Sequence, residues 1–302
     1  MDSAPPRLFD RTLHARRLDR AAKLYATSDF LKRRAAENAA DRLSDILRDF
    51  PLAVDLGART GVFAQALIGT PAQARIGTLV EADLSPVMLG GREALRVVAD
   101  EEALPFADSS LNLVVSLLAL HWTNDLVGAL TQIRRSLAPD GLFVGAFFGG
   151  ATLTELRQCL LEAETEVAGG AGLRVSPFAD GFDAAGLLQR AGFSLPVADV
   201  DRVTVRYDHP LKLMVDLRGM GETNVLFDRP RTPLSRAVLT RAFALYAERF
   251  ADPDGRVRAT FEIVTATGWT PHESQQKPLR RGSAKMRLAD ALGVVEHPLD
   301  PT

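Results

Sequence analysis

Cysteine is almost missing from this chain: Cys159 stands alone among 302 residues. That excludes an intramolecular disulfide and a thiolate metal cluster, and it points to a reducing compartment. Lysine is scarce as well, five against 31 arginines, a bias that with the abundant alanine goes with GC-rich bacterial genomes. No apolar run reaches the roughly 18 residues of a membrane span, and residues 1–20 lack the apolar centre of a secretory signal. Charge of one sign is also lacking, the net value being −2, so no concentrated basic face is expected for nucleic-acid phosphates. What is present, 46% hydrophobic and 25% charged residues, is the material of a soluble globular protein with a sizeable core. There is no internal repeat and no low-complexity tract.

Residues 7–50 are charged and alanine-rich, and Phe30, Leu31, Ala35, Ala39, Leu43, Ile46 and Leu47 fall near helical spacing, which predicts a helix from Asp29 to Arg48. Arg16, Arg17 and Arg20 read as a solvated helix face, with part of a lid as the alternative. From Pro51 to Phe148 short apolar runs alternate with helical patterns, the signature of βαβ units and a parallel sheet. Strands are expected at Leu52–Leu56, Arg75–Ala82, Leu95–Ala99, Leu111–Leu117 and Leu142–Phe148. Helices are expected at Val62–Ile68, Pro86–Arg92 and Asp125–Leu137, the last stopped by Pro139-Asp140-Gly141. Beyond Gly150, helices are expected at Thr152–Val167, Asp183–Arg190, 210–218 and 234–249, with strands at Leu195–Tyr207 and Arg258–Thr267. A short helical piece is expected near Leu288–Leu292.

The stretch Val54-Asp55-Leu56-Gly57-Ala58-Arg59-Thr60-Gly61 organises the rest. It reads as a strand, a glycine turn and a helix start, an arrangement that brings backbone N–H groups close to a ligand. A dinucleotide fold asks for G-x-G-x-x-G, and no third glycine stands in register here, so the nicotinamide reading is weak. The D-L-G-x-x-x-G pattern resembles motif I of class I S-adenosylmethionine-dependent methyltransferases. Three segments carry the resemblance on. Val80-Glu81-Ala82-Asp83-Leu84 ends the second strand with an acid 22 residues after Gly61, where a carboxylate accepts from a ribose diol. Asp100-Glu101-Glu102 resembles the motif that grips the adenine edge, and Leu137-Ala138-Pro139-Asp140-Gly141 resembles the turn before the fifth strand. The resemblance implies a Rossmann-like class I methyltransferase fold: an α/β, mostly parallel seven-stranded sheet with helices on both faces and a helical lid or insertion. The cofactor it implies is S-adenosyl-L-methionine, held by Asp55, Gly57, Arg59, Gly61, Asp83, Leu84, Asp100, Glu101 and Leu117. Each has a plainer reading: Asp83 as the cap of a helix starting near Pro86, Asp100–Glu102 as an acidic loop, and Asp55 as a buried carboxylate ordering the glycine loop.

A narrower resemblance rests on Leu8-Phe9-Asp10-Arg11, Leu120-His121-Trp122-Thr123-Asn124-Asp125, the run Phe148–Arg157, Gly219-Met220-Gly221-Glu222-Thr223-Asn224 and the run Gly268–Gln275. Over nearly the whole chain these look like the respiratory complex I assembly factor 5 family, relatives of the malonyl-carrier-protein methyltransferases of biotin synthesis. It implies modification of a protein substrate, an arginine of a complex I subunit, by methylation or hydroxylation. The alternative is a non-catalytic assembly factor with a degenerate cofactor loop. Arg59 stands where motif I normally has its middle glycine; it either strains the loop, by on the order of 1 kcal/mol, or pairs with the cofactor's carboxylate.

His121 is the candidate base or substrate-orienting group, with a structural role beside Trp122 as the other reading. None of the five histidines starts a His-x-Asp/Glu pair of the kind that holds non-haem iron, and no metal site is expected. Glu101, Glu102 and Glu155 are the acids available to an arginine substrate. Gln275, Gln276, Lys277, Arg280 and Arg281 read as a solvated loop, or else a partner-binding segment. The expected organisation is an N-terminal helical segment 1–50, a cofactor-binding core 51–150, completing helices and strands 151–270, and a polar tail 271–302. Because Leu8-Phe9-Asp10-Arg11 begins so near Met1, no transit peptide is expected, and a bacterial cytoplasmic setting is. Neither nucleic acid nor a membrane span is expected, and the oligomeric state is open.

Overall fold

A computed structural model of the chain describes residues 7–91, 93–178, 183–276, 283 and 286–293. Lys277, Arg280 and Arg281 therefore lie outside the described residues. The chain divides into two units, 1–271 and 272–302.

In the first unit the amino-terminal helices are α1 (Arg11–Ala21), α2 (Tyr25–Ser28) and α3 (Phe30–Ser44). Asp10 caps α1 by accepting from Leu13 N. Then come β1 (Phe50–Leu56), α4 (Val62–Leu67), β2 (Ile76–Asp83), β3 (Leu95–Val98), β4 (Leu111–Leu117), α5 (Leu126–Ser136) and β5 (Leu137–Phe148). The remainder is α6 (Thr154–Ala168), α7 (Ala184–Arg190), β6 (Ser194–Tyr207), α8 (Pro210–Met220), α9 (Arg236–Phe250) and β7 (Val257–Trp269). In the second unit the described helix is α10 (Leu288–Leu292).

The seven strands form one sheet in the order β3-β2-β1-β4-β5-β7-β6. Five strands are parallel, and β7 runs antiparallel to both β5 and β6. Alternation along each strand sends residues to two apolar layers. Ala53, Leu113, Val115 and Val144 meet α3, α4, α6 and α9, while Val54, Val114, Phe143 and Phe147 meet α5 and α7. Both faces are covered, as a largely parallel sheet requires. The strand order turns back between β1 and β4, and ligands of open α/β sheets bind at such a switch point, beyond the strands' carboxyl ends. The turn Gly57–Gly61 leaves β1 there.

Two expectations fail. The helix expected from Pro86 to Arg92 is absent: the described residues 86–91 form hydrogen-bonded turns, with Gly90 N donating to Val87 O. Two adjacent glycines, Gly90 and Gly91, the latter at φ +82°, leave too short a run to nucleate a helix. Asp83 accordingly caps a turn, its Oδ1 accepting from Ser85 N at 2.8 Å. The helix expected at Asp125–Leu137 is present as Leu126–Ser136, but the chain-reversing turn expected at Pro139-Asp140-Gly141 is not. Those residues belong to β5, where Asp140 at φ +63° coincides with a register shift against β4. Beyond these, α1 carries a helix that the charge of residues 11–21 hid: its buried residues are only His14, Leu18 and Ala21.

Candidate functional site

The Gly57–Gly61 turn is shaped by alternating left-handed residues: Gly57 at φ +77°, Arg59 at +53° and Gly61 at +73°. A Cβ at Gly57 would collide with that of Ala119. The turn is tied down by the Ala82 carbonyl, which accepts from Gly57 N at 2.7 Å and Ala58 N at 2.9 Å. Asp55 does not order the loop as the sequence suggested. Its two carboxylate oxygens are buried with no hydrogen-bond partner, and burial pushes its pKa up.

Arg59 is buried, 1% exposed, and turns its guanidinium onto Asp83: Nη1 lies 2.9 Å from Oδ2, and Arg59 N donates to the same oxygen at 2.8 Å. The side chain that the sequence sent toward a ligand carboxylate thus meets the carboxylate assigned to the ribose. Its positive φ is the condition under which a side chain at 59 is strained. Asp100 and Glu101 are likewise engaged, both by Arg11 of α1. Leu84, half-buried, follows Asp83.

Three contributors escaped the sequence reading. Lys32 of α3, 2% exposed, donates at 2.6 Å to Gly57 O and at 2.6 Å to Leu117 O, joining the ends of β1 and β4 at the switch point. Burial pulls its pKa down. The signal was available, since Lys32 shares the apolar stripe of Ala36, Ala39 and Leu43. His14 of α1 is wholly buried beside Trp122, with ring centroids 5.2 Å apart, and neither ring nitrogen has a partner. Burial, then the charges of Arg59 and Arg11, holds its pKa well below 6.5. Asp19 of α1 also accepts from Ser85 Oγ at 2.6 Å, so α1 roofs the turn at several points.

The third contributor is Glu222. His121, on the 3-10 turn Leu120–Trp122 after β4, places Nε2 3.0 Å from Glu222 Oε2, and Trp122 Nε1 donates to that oxygen at 2.9 Å. His121 packs against Phe148 at 4.9 Å between centroids, and its Nδ1 is buried and unpartnered. Glu222 and Trp122 line a cavity of about 590 Å³ walled by Phe148, Leu153, Leu156, Phe178 and Phe261. His121 stands behind that wall. Glu101, Glu102 and Glu155 are not at the cavity: Arg11 holds Glu101, Asn124 N donates to Glu102, and Thr260 donates to Glu155.

Donors and acceptors without partners therefore gather around the turn: both Asp55 oxygens, Glu101 Oε1, Arg59 Nη2 and the two His14 nitrogens. A small polar cofactor with an amine, hydroxyls and a carboxylate offers the complementary groups. The chemistry of the donor set fits such a molecule, except that Asp83 is already taken by Arg59.

Residues 54–145 match a family described as a methyltransferase domain. An arginine-hydroxylase NDUFAF5, mitochondrial, from Danio rerio is 42% identical over 290 residues, covering 94% of this chain and 89% of its own. A malonyl-[acyl-carrier protein] O-methyltransferase of Halorhodospira halophila is 34% identical, covering 95% of this chain and 97% of its own. Among solved structures, the YcgJ protein of Bacillus subtilis aligns with a TM-score of 0.53 at 13% identity, covering 78% of this chain and 98% of its own, a likeness of fold. The relatives named mitochondrial are eukaryotic, and the expected bacterial cytoplasmic setting finds no support among them. Among the described residues no helix is long and apolar enough to cross a membrane. With its seven-stranded, mostly parallel sheet the chain has the class I methyltransferase fold, and it belongs to the arginine-hydroxylase NDUFAF5 family.

Proposed function

We propose that the chain is an S-adenosylmethionine-binding enzyme that modifies an arginine side chain of a protein partner, a respiratory complex I subunit. The observation that carries this is Glu222, a carboxylate fixed by His121 and Trp122 on the wall of an aromatic-lined cavity beside the switch point. A carboxylate among aromatic faces suits a guanidinium, which stacks on rings while donating in a planar fork. Bound S-adenosylmethionine supplies an electrophilic methyl group. Gly57, Gly61, Leu84 and Leu117 would line its site, Asp100 and Glu101 would take the adenine end, and Asp55 would meet the amine of its amino-acid end. Asp83 would accept the ribose once released by Arg59.

In this reading His121 is a positioning residue: through Nε2 it fixes the Glu222 carboxylate. Glu222 in turn holds the substrate guanidinium, and Trp122 and Phe148 exclude water from it. Hydroxylation is the second reading, favoured by the name of the Danio rerio relative.

The test is mass spectrometry of complex I subunits from cells with and without the gene. Loss of a methyl increment on one arginine supports methylation, loss of a single-oxygen increment supports hydroxylation, and an unchanged subunit set refutes both. Glu222→Gln should lower the modification rate roughly 10- to 150-fold, the weight of a hydrogen bond to a charged group. Its Tm should be near native, since glutamine keeps an acceptor for His121 and Trp122.

A further inference from the structure

The cavity that holds Glu222 is otherwise basic. Arg17 of α1, Arg218 at the end of α8, and Arg174, Arg229 and Arg231 all line it, and Glu222 is the one acid among the described lining residues. Two of the five are neutralised by their own chain: Arg174 bonds Glu164 at 2.6 Å, and Arg229 lies 3.5 Å from Asp10. The other three have no carboxylate partner among the described residues. Arg17 donates to the Thr223 hydroxyl while its Nε is buried without a partner, and Arg218 and Arg231 stand exposed at the rim. The cations crowd one another, the charges of Arg229, Arg20 and Arg218 adding to burial in lowering the Arg17 pKa.

Arg17, partly buried and repelled by Arg229 and Arg218, is in an unfavourable position in the empty protein. The three arginines also conflict with an arginine substrate, which brings a further positive charge into the same space. Both difficulties vanish if the incoming segment carries its own carboxylates. We propose that the substrate of this cavity is an acidic peptide segment, whose Asp or Glu side chains pair with Arg17, Arg218 and Arg231 while its target arginine reaches Glu222. This rests on the reading above that places the target arginine at Glu222. A cavity of about 590 Å³ spans on the order of 10 Å, or two to four residues of extended chain at ~3.3–3.6 Å each, so the carboxylates lie within that distance of the target. The paired fork of arginine and carboxylate gives the contact its geometry.

The experiment is fluorescence anisotropy with a short fluorescein-labelled peptide that has a central arginine flanked by aspartate and glutamate, added to the full chain. A second peptide replaces the flanking acids by serine, and a third replaces the central arginine by alanine. The acidic peptide should bind at least about tenfold tighter than the serine peptide and weaken as salt rises. The double variant Arg218→Glu/Arg231→Glu should abolish that preference; both residues are exposed, so Tm should stay near native. Arg17→Gln should diminish the preference without touching the rim. The alanine peptide should keep its dependence on Arg218 and Arg231 and lose its dependence on Glu222. Retention of that pattern without modification of any peptide would defeat the enzymatic reading alone. Equal affinity for the acidic and serine peptides, or indifference to the charge reversals, overturns the proposal. So does a short single-stranded oligonucleotide that binds tighter than the acidic peptide, because phosphates would then be the better partner.

Discussion

In the cleft under α1, Asp83, Asp100 and Glu101 each meet a guanidinium from the same chain, whereas in the cavity beside it Arg17, Arg218 and Arg231 meet no carboxylate among the described residues. The two regions share a border at His121 and Trp122. The charge state of each region sets what it can receive. A cleft that has balanced its own charges admits a ligand by exchange, each new contact displacing an internal one. A cavity left with unbalanced charge gains net interaction from any ligand of opposite sign.

The largest effect is expected from unbalancing the cleft. Asp83→Ala leaves Arg59 as an uncompensated buried charge and should cost about 3–5 kcal/mol in urea unfolding. Adding Arg59→Gly should recover a large part of that loss, because the orphaned charge leaves with it. A cost under about 1 kcal/mol for Asp83→Ala would mean that the pair is weak and the cleft is not self-balanced.

A smaller effect comes from Arg59→Gly alone. It releases Asp83 Oδ2 from the guanidinium and removes the strain of a side chain at φ +53°. Calorimetric titration should find adenosylmethionine binding the variant about tenfold tighter, or about 1.4 kcal/mol. Weaker binding would assign Arg59 to the ligand and not to competition with it.

The smallest effect is a pH slope. His14 is buried neutral with its pKa depressed below 6.5, so it takes up its proton more readily in the unfolded chain. Its contribution to stability is present above pH 6.5 and is lost as pH falls below that value. His14→Phe keeps the ring beside Trp122 and cannot titrate. The native protein's stability minus the variant's should therefore be level above pH 6.5 and decrease below it, by at most about 1.4 kcal/mol per pH unit. A difference independent of pH would place the His14 proton elsewhere.

Much of the framework was legible in the residues themselves. The β1 and β4 runs are short and apolar because they are buried on both faces, and the D-L-G-x-x-x-G spacing marks the turn, since only a tight turn needs left-handed residues at fixed intervals. The pairing of that turn was not legible. Arg59 and Asp83 are 24 residues apart, Arg11 and Glu101 are 90 apart, and His121 and Glu222 are 101 apart. Periodicity reports a residue's face and says nothing of what lies opposite. The glutamates named as arginine acceptors fell to other partners for the same reason, while Glu222, quoted only as part of a motif, reached the cavity.

The seven strands, the helices from α3 onward, the glycine turn and the supply of acids at the strand ends could be read from the residues, because these depend on local propensity and on the alternation of apolar residues. Only the tertiary structure decided which cation meets which acid. Helices distant in sequence bring Arg11, His14 and Lys32 over the turn, and the fold brings Glu222 to one cavity with three arginines that have no carboxylate partner among the described residues. Charge complementarity acts through space, and its partners are fixed only once the sheet has stacked its helices.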